Sequence, residues 1–183
     1  MTTTHIAGIS GSLRRGSFNT ALLRAAGSLL PGDTKLEIVE YDGVPLFNHD
    51  IERMHGFPEP VQEMRDRLAA ADAILFATPE YNWSVPGVLK NAIDWASRSP
   101  ESPLDGKPAA IMGAGGRLGT AYAQQHLRQI LMHNDLRVVN RPSVMISRAA
   151  EHFDDDVELI TDRYRKQIQQ LLTALVAEAQ RGS

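Results

Sequence analysis

Ala73-Ile74-Leu75-Phe76-Ala77 is an unbroken apolar run. A strand of this kind has no polar face to turn toward water, so both of its faces must be covered. That requirement points to a buried strand in a parallel sheet, with helices packed above and below. The rest of the chain supplies the neighbours. Segments 4–9, 35–41 and 109–112 read as further strands, the second alternating polar and apolar residues as a half-exposed edge strand does. A fifth strand is predicted from 137–139 and 143–146, interrupted at Pro142. Helical signals cover about 19–30, 61–71, 85–98, 120–133 and 156–180. Pro31-Gly32-Asp33 stops the first helix, and Pro86 sits where a first-turn proline is tolerated. In the last helix Val157, Ile160, Tyr164, Ile168, Leu171, Leu172 and Leu175 recur by threes and fours. Segment 42–60, with Pro45, Gly56, Pro58 and Pro60, is predicted to be a long turn-rich loop, and 100–108 a shorter turn-rich connection.

Five strands alternating with five helices, without linker or repeat, predict one α/β domain over 1–183. The expected architecture is a flavodoxin-like, doubly wound, five-stranded parallel sheet with helices on both faces. Bulk properties narrow the function. A net charge of −3 argues for neither a nucleic-acid partner nor an acidic tail. No run is long enough to cross a bilayer, and Met1-Thr2-Thr3-Thr4-His5 lacks the basic-then-apolar plan of a signal peptide, so a cytoplasmic protein is expected. The absence of cysteine excludes disulfides, thiol catalysis and zinc–thiolate sites. The six histidines are scattered, and no metal site is expected. Asp154-Asp155-Asp156 is read as an acidic cluster at the start of the last helix, favourable to its dipole.

In such a sheet the loops after strands one, three and four open on one edge, where ligands bind. The first loop, Ser10 to Asn19, offers Ser10, Ser12, Ser17 and Asn19 as small polar groups and adds Arg14 and Arg15, with no Asp or Glu anywhere in 1–32. It feeds a helix N-terminus, a setting that suits a phosphate monoester, although a plain capped helix would use the same residues. It has neither the Gly-Lys-Ser/Thr ending of a triphosphate loop nor Gly-x-Gly-x-x-Gly. The second loop carries Pro79, Glu80, Tyr81, Asn82, Trp83 and Ser84, and suits a flat ring. The third, 113–119, has glycines that let backbone run close to a ligand, or that simply make a tight turn.

Pro79-Glu80-Tyr81-Asn82, Ser84 and Pro86-Gly87-Val88-Leu89-Lys90-Asn91-Ala92-Ile93-Asp94-Trp95 closely resemble the signature of NADPH-dependent FMN reductases, a group with quinone and chromate reductases among its members. Gly11-Ser12-x-Arg14-x-x-Ser17-x-Asn19 resembles the FMN-phosphate loop of the same family. The resemblance implies that Ser10, Ser12, Arg14, Ser17, Phe18 and Asn19 bind the phosphate. It further implies that Pro79, Glu80, Tyr81, Asn82 and Trp83 line the flavin, and that Gly113, Ala114 and Gly115 run along its ring. Trp83 occupies the variable position of the motif.

The implied activity is FMN-dependent oxidation of NADPH or NADH, with two-electron reduction of a small-molecule acceptor such as a quinone, free flavin, chromate or azo dye. No catalytic residue is expected, because the cofactor carries the chemistry. Arg14, Arg15 and Arg117 are candidates for the 2′-phosphate of NADPH. The rival readings are a flavodoxin-like electron carrier, a non-catalytic FMN-binding module and a nicotinamide dehydrogenase without flavin. The resemblance also implies a homodimer or homotetramer. Val85, Val88, Leu89 and Trp95 suit either an interface or packing on the sheet.

Overall fold

The structure, a computed structural model, describes residues 3–99 and 101–181. Pro100, counted above in the turn-rich connection, lies outside the described residues, as do Met1 and Thr2. The strands are β1 (Thr4–Ser10), β2 (Thr34–Ile38), β3 (Ala73–Ala77), β4 (Pro108–Ala114), β5 (Arg137–Val138) and β6 (Val144–Ile146). The helices are α1 (Phe18–Gly27), α2 (His49–His55), α3 (Glu59–Ala70), α4 (Gly87–Ala96), α5 (Ala121–Leu131) and α6 (Asp162–Gln180). The strands form one parallel sheet in the order β2-β1-β3-β4-β5, and β6 pairs β4 further along. This is the flavodoxin-like order, with the expected fifth strand divided in two on either side of Pro142.

Each face of the sheet is covered as the apolar run at β3 requires. Leu75 and Ala77 pack beneath α1 and α6, with Leu22, Leu23, Ile168 and Leu172. Ile74 and Phe76 pack on the opposite side beneath α3, α4 and α5, with Met64, Leu68, Leu89, Trp95 and Leu127. Full burial of side chains this size contributes about 1.5–3 kcal/mol each. Strand β2 lies on the sheet edge, and its exposed Lys35 and Glu37 account for the alternation read in the sequence. Among the described residues no helix is long and apolar enough to cross a membrane.

Two expectations need correction, and one left open is narrowed. Segment 42–60 is not all loop: it contains α2, whose N-cap Asn48 accepts from Asp50 N at 2.9 Å and which ends at Gly56, φ 71°. No residue of α2 is fully buried, so no apolar stripe announced it. The last helix begins at Asp162, not 156, because Val157 has φ 61°, outside helical space. The acidic cluster therefore precedes the helix by a turn. Asp154 Oδ1 accepts from Asp156 N and Glu158 N, an Asx turn. Finally, Leu89 and Trp95 are fully buried in the core, leaving Val88, 38 % exposed, and half-buried Val85 as the apolar residues of that set open to an interface.

Candidate functional site

Register brings the three loops level. Ser10 of β1 pairs Ala77 of β3, and Ala77 pairs Met112 of β4, so all three strands release their loops at the same edge. The loops then bind one another. Gly11 N donates to Ala77 O at 2.7 Å and Thr78 N to Met112 O at 3.0 Å. A Cβ at Gly113 would stand 2.2 Å from Thr120 Oγ1 and 2.4 Å from Thr78 O, and one at Gly115 would stand 2.3 Å from Gly119 O. A Cβ at Gly11 would meet Pro79 Cδ at 2.9 Å. These glycines let loop pass against loop, which is the close approach the structure records for them.

In the first loop Ser17 caps α1, its Oγ accepting from Asn19 N at 3.2 Å and Thr20 N at 3.3 Å. Phe18 N, at the same helix end, has no acceptor among the described residues. Asn19 reaches across the edge: its Nδ2 donates to Ala114 O and its Oδ1 accepts from Ala114 N, both at 2.9 Å. Its amide thus adds a rung between α1 and β4. Ser10 Oγ lies 2.8 Å from Thr20 Oγ1, and the Tyr41 hydroxyl donates to Ser10 O. Burial, and then Tyr81, hold the Tyr41 phenol well above its ordinary pKa. Arg14 and Arg15 are exposed, and the Arg14 guanidinium lies 5.7 Å from the Phe18 ring centroid. They line a cleft of about 350 Å³ with Ser10, Ser12, Glu40 and Asp42. The sequence showed no acid near these arginines, but the fold brings Glu40 and Asp42 to the same cleft, so the positive field is partly opposed.

The second loop is a tight turn. Tyr81 N donates to Ser84 O at 3.1 Å and Ser84 N to Tyr81 O at 3.0 Å. Asn82 and Trp83 have φ of 49° and 63°, left-handed at both central positions, as a type I′ turn demands. Their two N–H groups have no acceptor among the described residues. Trp83 is 69 % exposed and stacks on Tyr122 at 5.6 Å with rings 20° apart. Ser84 Oγ lies 3.0 Å from His126 Nδ1. The Glu80 side chain turns to α5, where Oε2 accepts from Tyr122 N at 2.9 Å and Ala123 N at 3.0 Å. Its carboxylate is therefore engaged by helix backbone.

The signature helix α4 has a second task. Asn91 Nδ2 and Trp95 Nε1 both donate to Pro45 O, at 2.9 and 2.8 Å, and Asn91 Oδ1 accepts from Phe47 N at 2.7 Å. A groove of about 660 Å³ between α4 and α5, bordered by Phe47, Lys90, His126 and His133, meets the three loops only at Ser84. Arg117 is exposed on the third loop. Tyr41, Thr120, Tyr122 and His126 join the loop network without having been singled out in the sequence. Their partners are loop backbone or side chains at least 31 positions away in the chain, except that Thr120 Oγ1 accepts from Gln124 Nε2 on its own helix. No group of three or more His, Cys, Asp or Glu among the described residues could hold a metal ion.

Known proteins are similar to this chain in sequence and in fold. Residues 4–151 match the family model described as NADPH-dependent FMN reductase. The chain is 54 % identical over 171 residues to an NAD(P)H-dependent FMN reductase of Pseudomonas aeruginosa, covering 93 % of this chain and 92 % of that one. It is 42 % identical over 178 residues to an NADPH:quinone oxidoreductase of Arabidopsis thaliana, covering 94 % and 90 % respectively. Among solved structures, the flavoenzyme NAD(P)H:(acceptor) oxidoreductase FerB of Paracoccus denitrificans superposes with a TM-score of 0.87 at 33 % identity, over 98 % of each chain.

Proposed function

This chain belongs to the NADPH-dependent FMN reductase family, and on that footing we propose that its acceptor is a quinone. It is an oxidoreductase that works with FMN and NAD(P)H, and its acceptor is a small molecule. FMN, when bound, would supply the two-electron redox chemistry between NAD(P)H and the acceptor. The residues present fit that cofactor. The N-terminus of α1, with Phe18 N free and Ser12, Arg14 and Ser17 beside it, is suited to the phosphate. The unpartnered N–H groups of Asn82 and Trp83 are suited to the polar edge of the ring, with Pro79 and Tyr81 beside them and Gly113, Ala114 and Gly115 alongside. Asn19 and Glu80 support the loops through their side chains, Ser10 chiefly through its bonds to Thr20 and Tyr41.

The observation that carries the reading is the convergence of three mutually bonded loops at one sheet edge. One of them offers a helix N-terminus, and another a pair of free donors on a rigid turn. The quinone assignment draws on the plant relative's name and on the flat, open aromatic surface of Trp83 and Tyr122 beside the turn. Arg14, Arg15 or Arg117 would meet the 2′-phosphate of NADPH. One domain over 1–183, a cytoplasmic location and a homodimer or homotetramer, with exposed Val88 at its interface, complete the proposal.

The test is an absorbance spectrum of protein incubated with FMN and desalted, then given NADPH without oxygen, then 1,4-benzoquinone. A retained flavin spectrum that bleaches with NADPH and returns with the quinone is expected. Retained flavin that NADPH leaves unbleached indicates a carrier or a binding module, and bleached flavin that the quinone does not restore removes the acceptor assignment.

A further inference from the structure

The geometry points to Glu80 as a positioning residue for the flavin ring, a role that rests on the FMN reading above. Helix α5 begins without a cap of its own. Thr120 stands at its N-cap position, yet the Thr120 side chain makes no capping bond, and Thr120 Oγ1 accepts from Gln124 Nε2 at 3.0 Å instead. A helix start leaves backbone donors that need acceptors. Two of them, Tyr122 N and Ala123 N, find Glu80 Oε2, whose negative charge the helix dipole also favours at this end. The cap is thus supplied by the residue that immediately precedes the 81–84 turn.

The same turn is tied to α5 twice more. Trp83 stacks on Tyr122, the very residue whose N–H Glu80 accepts, and Ser84 Oγ meets His126 one helical turn on. The stack and the Ser84–His126 contact are both neutral pairs open to solvent. Glu80 makes the tie with a charged acceptor and two backbone donors, a stronger kind of hydrogen bond than a neutral pair. Its carboxylate sets where the turn sits along α5. The turn in turn carries the two unpartnered N–H groups of Asn82 and Trp83, held in left-handed backbone that leaves them little freedom. Glu80 therefore acts on the ring through the turn's backbone, without a contact of its own side chain to the ring.

The experiment measures FMN and riboflavin affinity by flavin fluorescence, and the visible circular dichroism of the bound flavin, in wild type, Glu80→Ala, Glu80→Asp and Glu80→Gln. Riboflavin lacks the phosphate, so the ratio of the two affinities isolates the first loop. With Glu80→Ala, both affinities are expected to fall by about tenfold, the equivalent of about 1.4 kcal/mol, with their ratio unchanged and the dichroism altered. Glu80→Asp keeps the charge but is one methylene short, and behaves like Ala. Glu80→Gln keeps an acceptor of the same reach and stays within about threefold of wild type with its dichroism. Should Glu80→Ala fold poorly, the Asp and Gln pair decides alone. Wild-type behaviour in Ala or Asp, or loss in Gln with retention in Asp, overturns the positioning role while leaving the FMN reading intact. A wild-type protein that binds no FMN overturns both.

Discussion

Replacing Asn19 by alanine tests whether the ligand edge is held together as described. Asn19 is 3 % exposed, and its amide bonds both backbone groups of Ala114, 95 positions away, at 2.9 Å each. Alanine at this position leaves the N–H and the C=O of Ala114 buried without these partners. Each unsatisfied group costs about 1–3 kcal/mol. Alanine returns roughly 0.5 kcal/mol as a better helix former inside α1. The net expectation is a loss of about 1.5–5.5 kcal/mol. With a urea m-value of about 2 kcal/mol/M, the unfolding midpoint falls by roughly 0.8–2.8 M. FMN affinity falls as well, because the first and third loops lose their tie. Asn19→Asp sharpens the test. Its ionised carboxylate still accepts from Ala114 N but faces Ala114 O with a negative charge, and only the protonated form can donate there. Folding therefore holds that proton more tightly than the unfolded chain does, and the variant gains stability as pH falls into the carboxyl range and loses it as pH rises. An Asn19→Ala midpoint within about 0.5 M of wild type at an unchanged m-value would refute the reasoning, since the rung would then carry no weight.

Two further outcomes follow from the same edge. Gly113→Ala forces a Cβ against Thr120 Oγ1 and the backbone Thr78 O and should cost about 3 kcal/mol or more in thermal unfolding, whereas Gly116→Ala, where a Cβ meets nothing within 4 Å, should change stability little. Tyr41, its phenol held high by burial and then by Tyr81, keeps its proton in the folded state where the unfolded chain loses it. Its contribution is full below about pH 10 and declines as pH rises beyond it, so Tyr41→Phe should lose about 1 kcal/mol at neutral pH, flatten the alkaline fall in stability and remove a late component of the phenolate absorbance.

The sheet was legible because its demands are written in the strands themselves. An all-apolar β3 admits no arrangement but burial on both faces, and the alternation of β2 marks an edge. The loops at the proposed ligand edge were legible through Ser12, Arg14, Ser17 and the Pro79 to Asn82 run. The internal bonds of that edge were not. Asn19 and Glu80 read as ligand residues because a polar side chain in a loop carries no mark of its partner. Here the partners are main-chain atoms of Ala114, Tyr122 and Ala123, which any residue type would supply. Helix α2 was hidden for a different reason, since only Asn48 and Gly56 encode its ends and no apolar face encodes its middle. The start of α6 was misplaced because Val157 and Ile160 continue the helical spacing by coincidence of position, with Ile160 57 % exposed.

The stretch between β2 and α3 hangs on α4 at Pro45 and Phe47, and beyond that point α2 offers the core no fully buried residue. Its strongest remaining tie is the pair of Glu52 with Arg98, at 3.0 Å. Hydrogen exchange should therefore divide sharply within a few residues. The Phe47 amide, bound to Asn91, should exchange only when α4 itself gives way. The amides of 52–55 should exchange through brief local fraying at a small fraction of the global free energy. Proteases should cut readily in the same place, and insertions or deletions there should leave the β1, β3 and β4 edge undisturbed, which makes 48–56 free to change in length.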